Sequence, residues 1–221
     1  MTPTLLLKNA LVIATMDDEQ REIANGSVFI RGNRVEAVGP ASELPDTADK
    51  VIDMTGHVLI PGLINTHHHM FQSLTRALPA AQDAELFDWL TALFPVWQNI
   101  TPAMQRAATR TALAELMLSG CTTAADHAYL YVNGTRLDDS VQAAQEMGMR
   151  FHAVRGAMSL GQSKGGLPPD ALVEQDEEAI LKEMQRVVEE LHDATPDAMI
   201  KVALGPCSPF TVTTDLMREG A

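Results

Sequence analysis

His67 and His69 are the residues of this chain best placed to do chemistry. They close the segment Pro61-Gly62-Leu63-Ile64-Asn65-Thr66-His67-His68-His69, where an apolar strand runs out. Side chains two apart on a strand share a side. The two imidazoles can therefore reach one point, while His68 faces the other way as a packed or hydrogen-bonded neighbour. Converging imidazoles are the start of a zinc or iron site. A lone His-x-His says little; the preceding Pro-Gly-Leu-Ile-Asn-Thr and the following Gln72 make this one specific. Gln72 carries two N–H donors and an acceptor, which suits the edge of a lactam-like ring. Its alternative is a surface glutamine on a short helix.

Other candidates lie further on. His127 and Arg155 fall at the C-terminal ends of predicted strands, the catalytic face if those strands form a barrel. Each can line a pocket there. The alternatives are a hydrogen-bonded structural histidine and an arginine whose ion pair holds a loop. Trp89 and Trp97 share one helical stretch, and core packing is the plain reading of Trp89. A nucleophilic role for Cys207 would need a basic partner, and none is evident. The acids between Glu174 and Glu190 read as a solvated helix face.

Two kinds of element must position these residues. Up to residue 58 the pattern is short strands, including a hairpin in which Gly32-Asn33 joins Val28-Phe29-Ile30-Arg31 to Arg34-Val35-Glu36-Ala37-Val38. From 59 to 221 strands alternate with helices: strands at Leu59–Asn65, Thr122–Asp126, Arg150–Arg155 and Ile200–Leu204. Helices are expected over Glu85–Trp97, from Thr101 to a Gly120 cap, over Leu137–Met147 to Gly148, over Glu174–His192, and starting after Thr213. In the fourth of these, Ile180, Leu181, Met184, Val187, Val188 and Leu191 form one apolar stripe. Such alternation means a parallel sheet. The Gly- and Pro-rich stretch from Gly156 to Pro169 is long enough for a functional lid.

The 221 residues suit one sizeable domain or one and a half. The chain has 16 Lys and Arg against 29 Asp and Glu, a net charge of −13. That balance argues against binding nucleic-acid phosphate. Two cysteines give no disulfide framework and fit a reduced compartment. The N-terminus lacks the basic start and cleavage site of a signal peptide, and no apolar run approaches a membrane span. The expectation is a cytoplasmic protein without a membrane partner.

The histidine segment resembles the first barrel strand of the amidohydrolase superfamily, in the branch of aminohydrolases acting on N-heterocycles. Gly120-Cys121-Thr122-Thr123, Asp126-His127, the run Arg155 to Gly161, Gly165 to Asp170, and Pro206-Cys207-Ser208-Pro209-Phe210 are similar to the same branch. The likeness covers nearly the whole chain and extends to the 8-oxoguanine and hydroxy-s-triazine aminohydrolases.

This resemblance implies an α/β fold: the N-terminal half of a (β/α)8 barrel over 59–221, with part of a small β subdomain over 1–58. It implies His67 and His69 as ligands of one metal per subunit, zinc or alternatively iron(II). Binuclear relatives use a carbamylated lysine late in the fourth strand, but Lys201 lies at that strand's start. Gln72, Trp97, His127, Arg155 and Cys207 are the implied substrate-side residues. The indole of Trp97 would stack on the planar ring. Related guanine deaminases carry Arg where Cys207 stands, which turns the expectation from guanine toward an 8-oxopurine or hydroxylated triazine. The remaining ligands and the glutamate that shuttles the proton are expected beyond Ala221. The chain therefore reads as a partial enzyme, inactive alone and a homo-oligomer when intact. The alternatives are a non-catalytic half-barrel binding or assembly module, and a cyclic amide hydrolase.

Overall fold

Apolar side chains recur along Thr4–Ala14, and this segment becomes the spine of a sheet. The computed structural model describes residues 2–221, which divide into two units after Gly62, the second being Leu63–Ala221. In the first, β1 (Thr4–Ala14) pairs antiparallel with β2 (Glu22–Arg31), and β2 with β3 (Arg34–Pro40). Gly32 in the hairpin between β2 and β3 has a φ of 60°, which glycine adopts without strain. Two short parallel strands, β4 (Lys50–Asp53) and β5 (Val58–Leu59), complete the sheet against opposite ends of β1. Leu6, Ala10, Ile13 and Phe29 are its buried apolar side chains.

The sequence pattern predicts one strand from Leu59 to Asn65 and a second unit beginning at 59. The fold instead breaks there. Pro61 has no N–H to give a ladder, and β5 stays with β1. The second unit opens with β6 (Leu63–Asn65).

That unit is a parallel sheet of β6, β7 (Cys121–Ala128), β8 (Arg150–Ala157) and β9 (Ile200–Pro206), in chain order. Its helices are α1 (Leu86–Trp97), α2 (Pro102–Leu118), α3 (Leu137–Met147), α4 (Glu177–Leu191) and α5 (Thr214–Glu219). Their ends follow from local chemistry. Thr101 caps α2 by accepting from the Met104 N–H, and Gly148 ends α3 in the left-handed region at a φ of 72°. The start of α4 lies three residues later than expected. Asp176 is its cap, and Glu174 is held outside the helix, its N–H donating to the Met158 carbonyl. Leu113 of α2, Val141 of α3 and Val187 of α4 bury themselves against Phe151, Ala153 and Val202 of the sheet. Each large side chain in that layer contributes about 1.5–3 kcal/mol. Four parallel strands in sequence order with covering helices are half of a (β/α)8 barrel. β6 and β9 are the sheet's edges, and Leu63 and Ile64 on β6 are more than half exposed.

Candidate metal and substrate site

β6 ends at Asn65, so strand alternation no longer governs the histidines that follow. They converge nonetheless: the rings of His67 and His69 lie 5.2 Å apart, centroid to centroid. The chain here is tied to β7 at three points. The His127 N–H donates to the His68 carbonyl at 2.9 Å, and the Met70 N–H to Asp126 Oδ1 at 2.7 Å. The third tie is between His69 Nδ1 and the His127 carbonyl oxygen, 2.7 Å apart. A carbonyl only accepts, so Nδ1 carries the proton and Nε2 keeps its lone pair. Burial pushes the His69 pKa below its ordinary value and favours the neutral ring. A neutral imidazole with its second nitrogen anchored on a carbonyl is the form that binds metal.

β7 and β8 sort their side chains by alternation. Ala124, Asp126 and Ala128 face the helix layer, as do Phe151, Ala153 and Arg155, while His127 points the other way. His127 Nε2 crosses to donate to the Gly205 carbonyl on β9 at 2.7 Å. Glycine at 156 makes this crossing possible. A Cβ there would lie 2.6 Å from Tyr129 Cβ, 2.7 Å from the Ala128 oxygen and 2.8 Å from His127 Nε2. Burial lowers the His127 pKa as well.

A cavity of about 540 Å³ opens over these groups. His67, His69, Gln72, His127, Tyr129 and Cys207 supply its polar side, and Phe87, Trp89, Phe94, Met158 and Phe210 much of its apolar wall. Phe87 and Phe210 meet edge to face at 5.7 Å. A smaller space of about 440 Å³ adjoins the same histidines and includes His68, whose buried Nδ1 has no hydrogen-bond partner. His68 therefore does not turn wholly away. Its pKa is lowered, by burial first and then by the charge of Arg76.

Five of the seven expected site residues thus share one cavity: His67, His69, Gln72, His127 and Cys207. Two do not. Trp97 is fully buried, donates Nε1–H to Thr75 Oγ1 at 3.1 Å, and packs against Phe71, Phe94 and Trp89. It belongs to the core under α1, and Trp89 is the indole at the cavity. Arg155 is 1% exposed and faces the helix layer. Its guanidinium stacks 3.7 Å over the Tyr131 ring and pairs with both Glu174 oxygens, at 2.8 and 3.1 Å. This is the loop-holding alternative, and alternation counted forward from Phe151 through Ala153 already places Arg155 on that face. The same counting, from His127 to 129, would have found Tyr129.

Cys207 is half-buried, and burial raises its thiol pKa, the opposite of what a nucleophile needs. Lys201 donates to the Thr195 carbonyl at 3.1 Å, at the start of β9 and the far end of the sheet from the histidines. Among the described residues no group of three or more His, Cys, Asp or Glu side chains is gathered for a metal. His67 and His69 fit two positions of a zinc site, whereas catalytic zinc uses three protein ligands.

Comparison with known proteins bears on the family and the fold. The amidohydrolase family model matches residues 58–220. An 8-oxoguanine deaminase from Pseudomonas aeruginosa is 44% identical over 97% of this chain and 48% of its own length. A hydroxydechloroatrazine ethylaminohydrolase from Pseudomonas sp. (strain ADP) is 34% identical over 90% of this chain and 44% of its own. Among solved structures, an atrazine chlorohydrolase from Arthrobacter aurescens TC1 complexed with zinc superposes with a TM-score of 0.89 at 28% identity. That match covers 98% of this chain and 49% of the other. The chain spans about half the length of the curated relatives it matches. No helix among the described residues is long and apolar enough to cross a membrane. The chain belongs to the amidohydrolase family.

Proposed function

We propose that this member of the amidohydrolase family is part of a metal-dependent hydrolytic deaminase of an aromatic N-heterocycle, an 8-oxoguanine-like purine or a hydroxylated s-triazine. The observation that carries the reading is the anchored, neutral His69 beside His67 at a cavity that also holds Gln72. His67 and His69 would hold one zinc, with iron(II) as the alternative, and residues outside these 221 would complete its ligands. Bound there, the metal supplies the Lewis acidity that makes water nucleophilic near neutral pH. The chain's own residues do the rest of what can be assigned here. Gln72 meets the polar edge of the ring. Phe87, Trp89 and Phe210 offer flat apolar surface to its faces and displace water from them. Arg155 does not touch the ring; with Glu174 it holds the 158–174 loop whose Met158 and Leu167 wall the cavity.

The names of the relatives support the substrate class: one is an 8-oxoguanine deaminase, and another a hydroxydechloroatrazine ethylaminohydrolase. Cys207 at the cavity supports an order of preference, because a thiol cannot give guanine the charged contact of an arginine. The test is ammonia release by the full-length protein from 8-oxoguanine, a hydroxylated aminotriazine and guanine. Either of the first two should be the fastest; guanine ranking first would overturn the reading.

A further inference from the structure

Tyr129 lies one residue beyond β7 and two beyond His127, on the cavity side. Its ring is boxed by Phe71 at 5.2 Å, His69 at 5.1 Å and His127 at 5.5 Å. Only 6% of the residue is exposed. Its hydroxyl meets Gln72, whose Nε2 donates to Oη at 3.0 Å. Among the described residues no protein acceptor takes the hydroxyl proton and no donor reaches Gln72 Oε1. A tyrosine hydroxyl keeps its proton at neutral pH.

Tied together in this way, the phenol and the amide present a fixed pattern to the cavity. The hydroxyl offers a donor and Oε1 an acceptor, side by side. Were the amide turned over, the hydroxyl would donate to Oε1. The outward groups would then be an amide N–H and an Oη lone pair, again one donor and one acceptor. A cyclic lactam edge, –NH–C(=O)–, carries the complementary pair in either direction. An O-alkylated ring carries two acceptors on the same edge and leaves one facing an acceptor of the protein, which costs binding.

We propose that Tyr129 is a specificity-determining residue: with Gln72 it forms a two-point reader of the lactam edge on the non-reacting side of the substrate ring. This rests on the heterocycle-deaminase reading.

The experiment uses the full-length protein with a ring-oxo aminotriazine and its O-methyl counterpart, in which the lactam N–H is gone. Tyr129→Phe keeps the ring that Phe71, His69 and His127 pack on, so the fold should persist, and circular dichroism checks it. Wild-type protein should favour the lactam ring, and Tyr129→Phe should lose about 10-fold in kcat/KM on that ring with little change on the O-methyl ring. In a Gln72→Ala background the same substitution should cost nothing further. Equal losses on both rings, or losses that add, would overturn the proposal. The same cycle is read from calorimetric binding of each ring to metal-free protein. If the wild type releases no ammonia from either ring, the deaminase reading fails and the binding cycle alone decides. Lactam preference with non-additivity supports the reader; indifference to Tyr129→Phe, or no binding of either ring, refutes it.

Discussion

The Nδ1 atom of His69 lies 2.7 Å from the carbonyl oxygen of His127, so a backbone group of β7 fixes the tautomer of a side chain that follows β6. The side chain of His127 is not part of that link. Replacing His69 or His67 with Ala should therefore abolish metal binding by the full-length protein, which is expected to hold one equivalent. His127→Ala keeps the carbonyl and should weaken binding by no more than about 10- to 100-fold, the range for an indirect support. Elemental analysis and a chelator titration read all three variants. Two metals per subunit with a modified Lys201 would contradict the single-metal site.

Gly156→Ala tests the crossing of His127 over β8. The added methyl meets backbone as well as side chains, at 2.6–2.8 Å, so neither rotamer change nor small drift relieves it. The expected cost is at least about 1–3 kcal/mol, in the range of overpacked cores. The His127 to Gly205 bond should open with it. Thermal denaturation gives the first quantity, and the His127 ring resonances in NMR give the second. An unchanged Tm and unchanged resonances would mean that β8 can move aside.

Period and punctuation made most of the fold legible in the sequence. Thr101-Pro102, Gly148 and the Gly32-Asn33 pair marked element ends that the structure keeps, because each acts through its own backbone or cap. The helical pattern extends to Glu174 in the sequence, and nothing local to it shows that Arg155 pairs with it outside α4. Trp97 shows a second limit. A helix presents residues to both core and cavity, and a large aromatic suits either. Only the packing of Phe71 and Thr75 against it decides that the cavity receives Trp89 instead. The placement of Arg155, by contrast, was available from period two along β8.

Arg155→Met removes the charge and keeps much of the stem that lies against Tyr131. It leaves Glu174 half-buried without its partner. Burial already raises the Glu174 pKa against the opposing pull of Arg155, so without Arg155 it should rise further. Breaking a buried pair costs about 3–5 kcal/mol; Glu174 is 26% exposed, so the lower part of that range is expected. The loop between Met158 and Glu174 should become more sensitive to protease. The preference between 8-oxoguanine and guanine should not change, since Arg155 does not reach the cavity. A variant of normal stability with an altered preference would return Arg155 to the substrate.

Asp126 should make stability depend on pH. Its side chain is buried on the helix side of β7; Oδ1 accepts from the Met70 N–H and Oδ2 has no partner. Burial pushes its pKa up to about 7, with the Met70 hydrogen bond opposing. An unfolded aspartate titrates near 4. Between those values the folded protein keeps a proton that the unfolded chain has released. Folding stability therefore falls as pH rises from about 4 to about 7 and levels above that, by on the order of 4 kcal/mol for a three-unit separation. Other groups titrate in the same window, so the quantity to measure is the difference from Asp126→Asn, which preserves the acceptor for Met70 and cannot ionise. Wild-type stability relative to that variant should be highest near pH 4 and decline toward pH 7 in denaturant titrations. A difference that is flat, or that grows with pH, would show that the folded protein holds Asp126 as a carboxylate throughout.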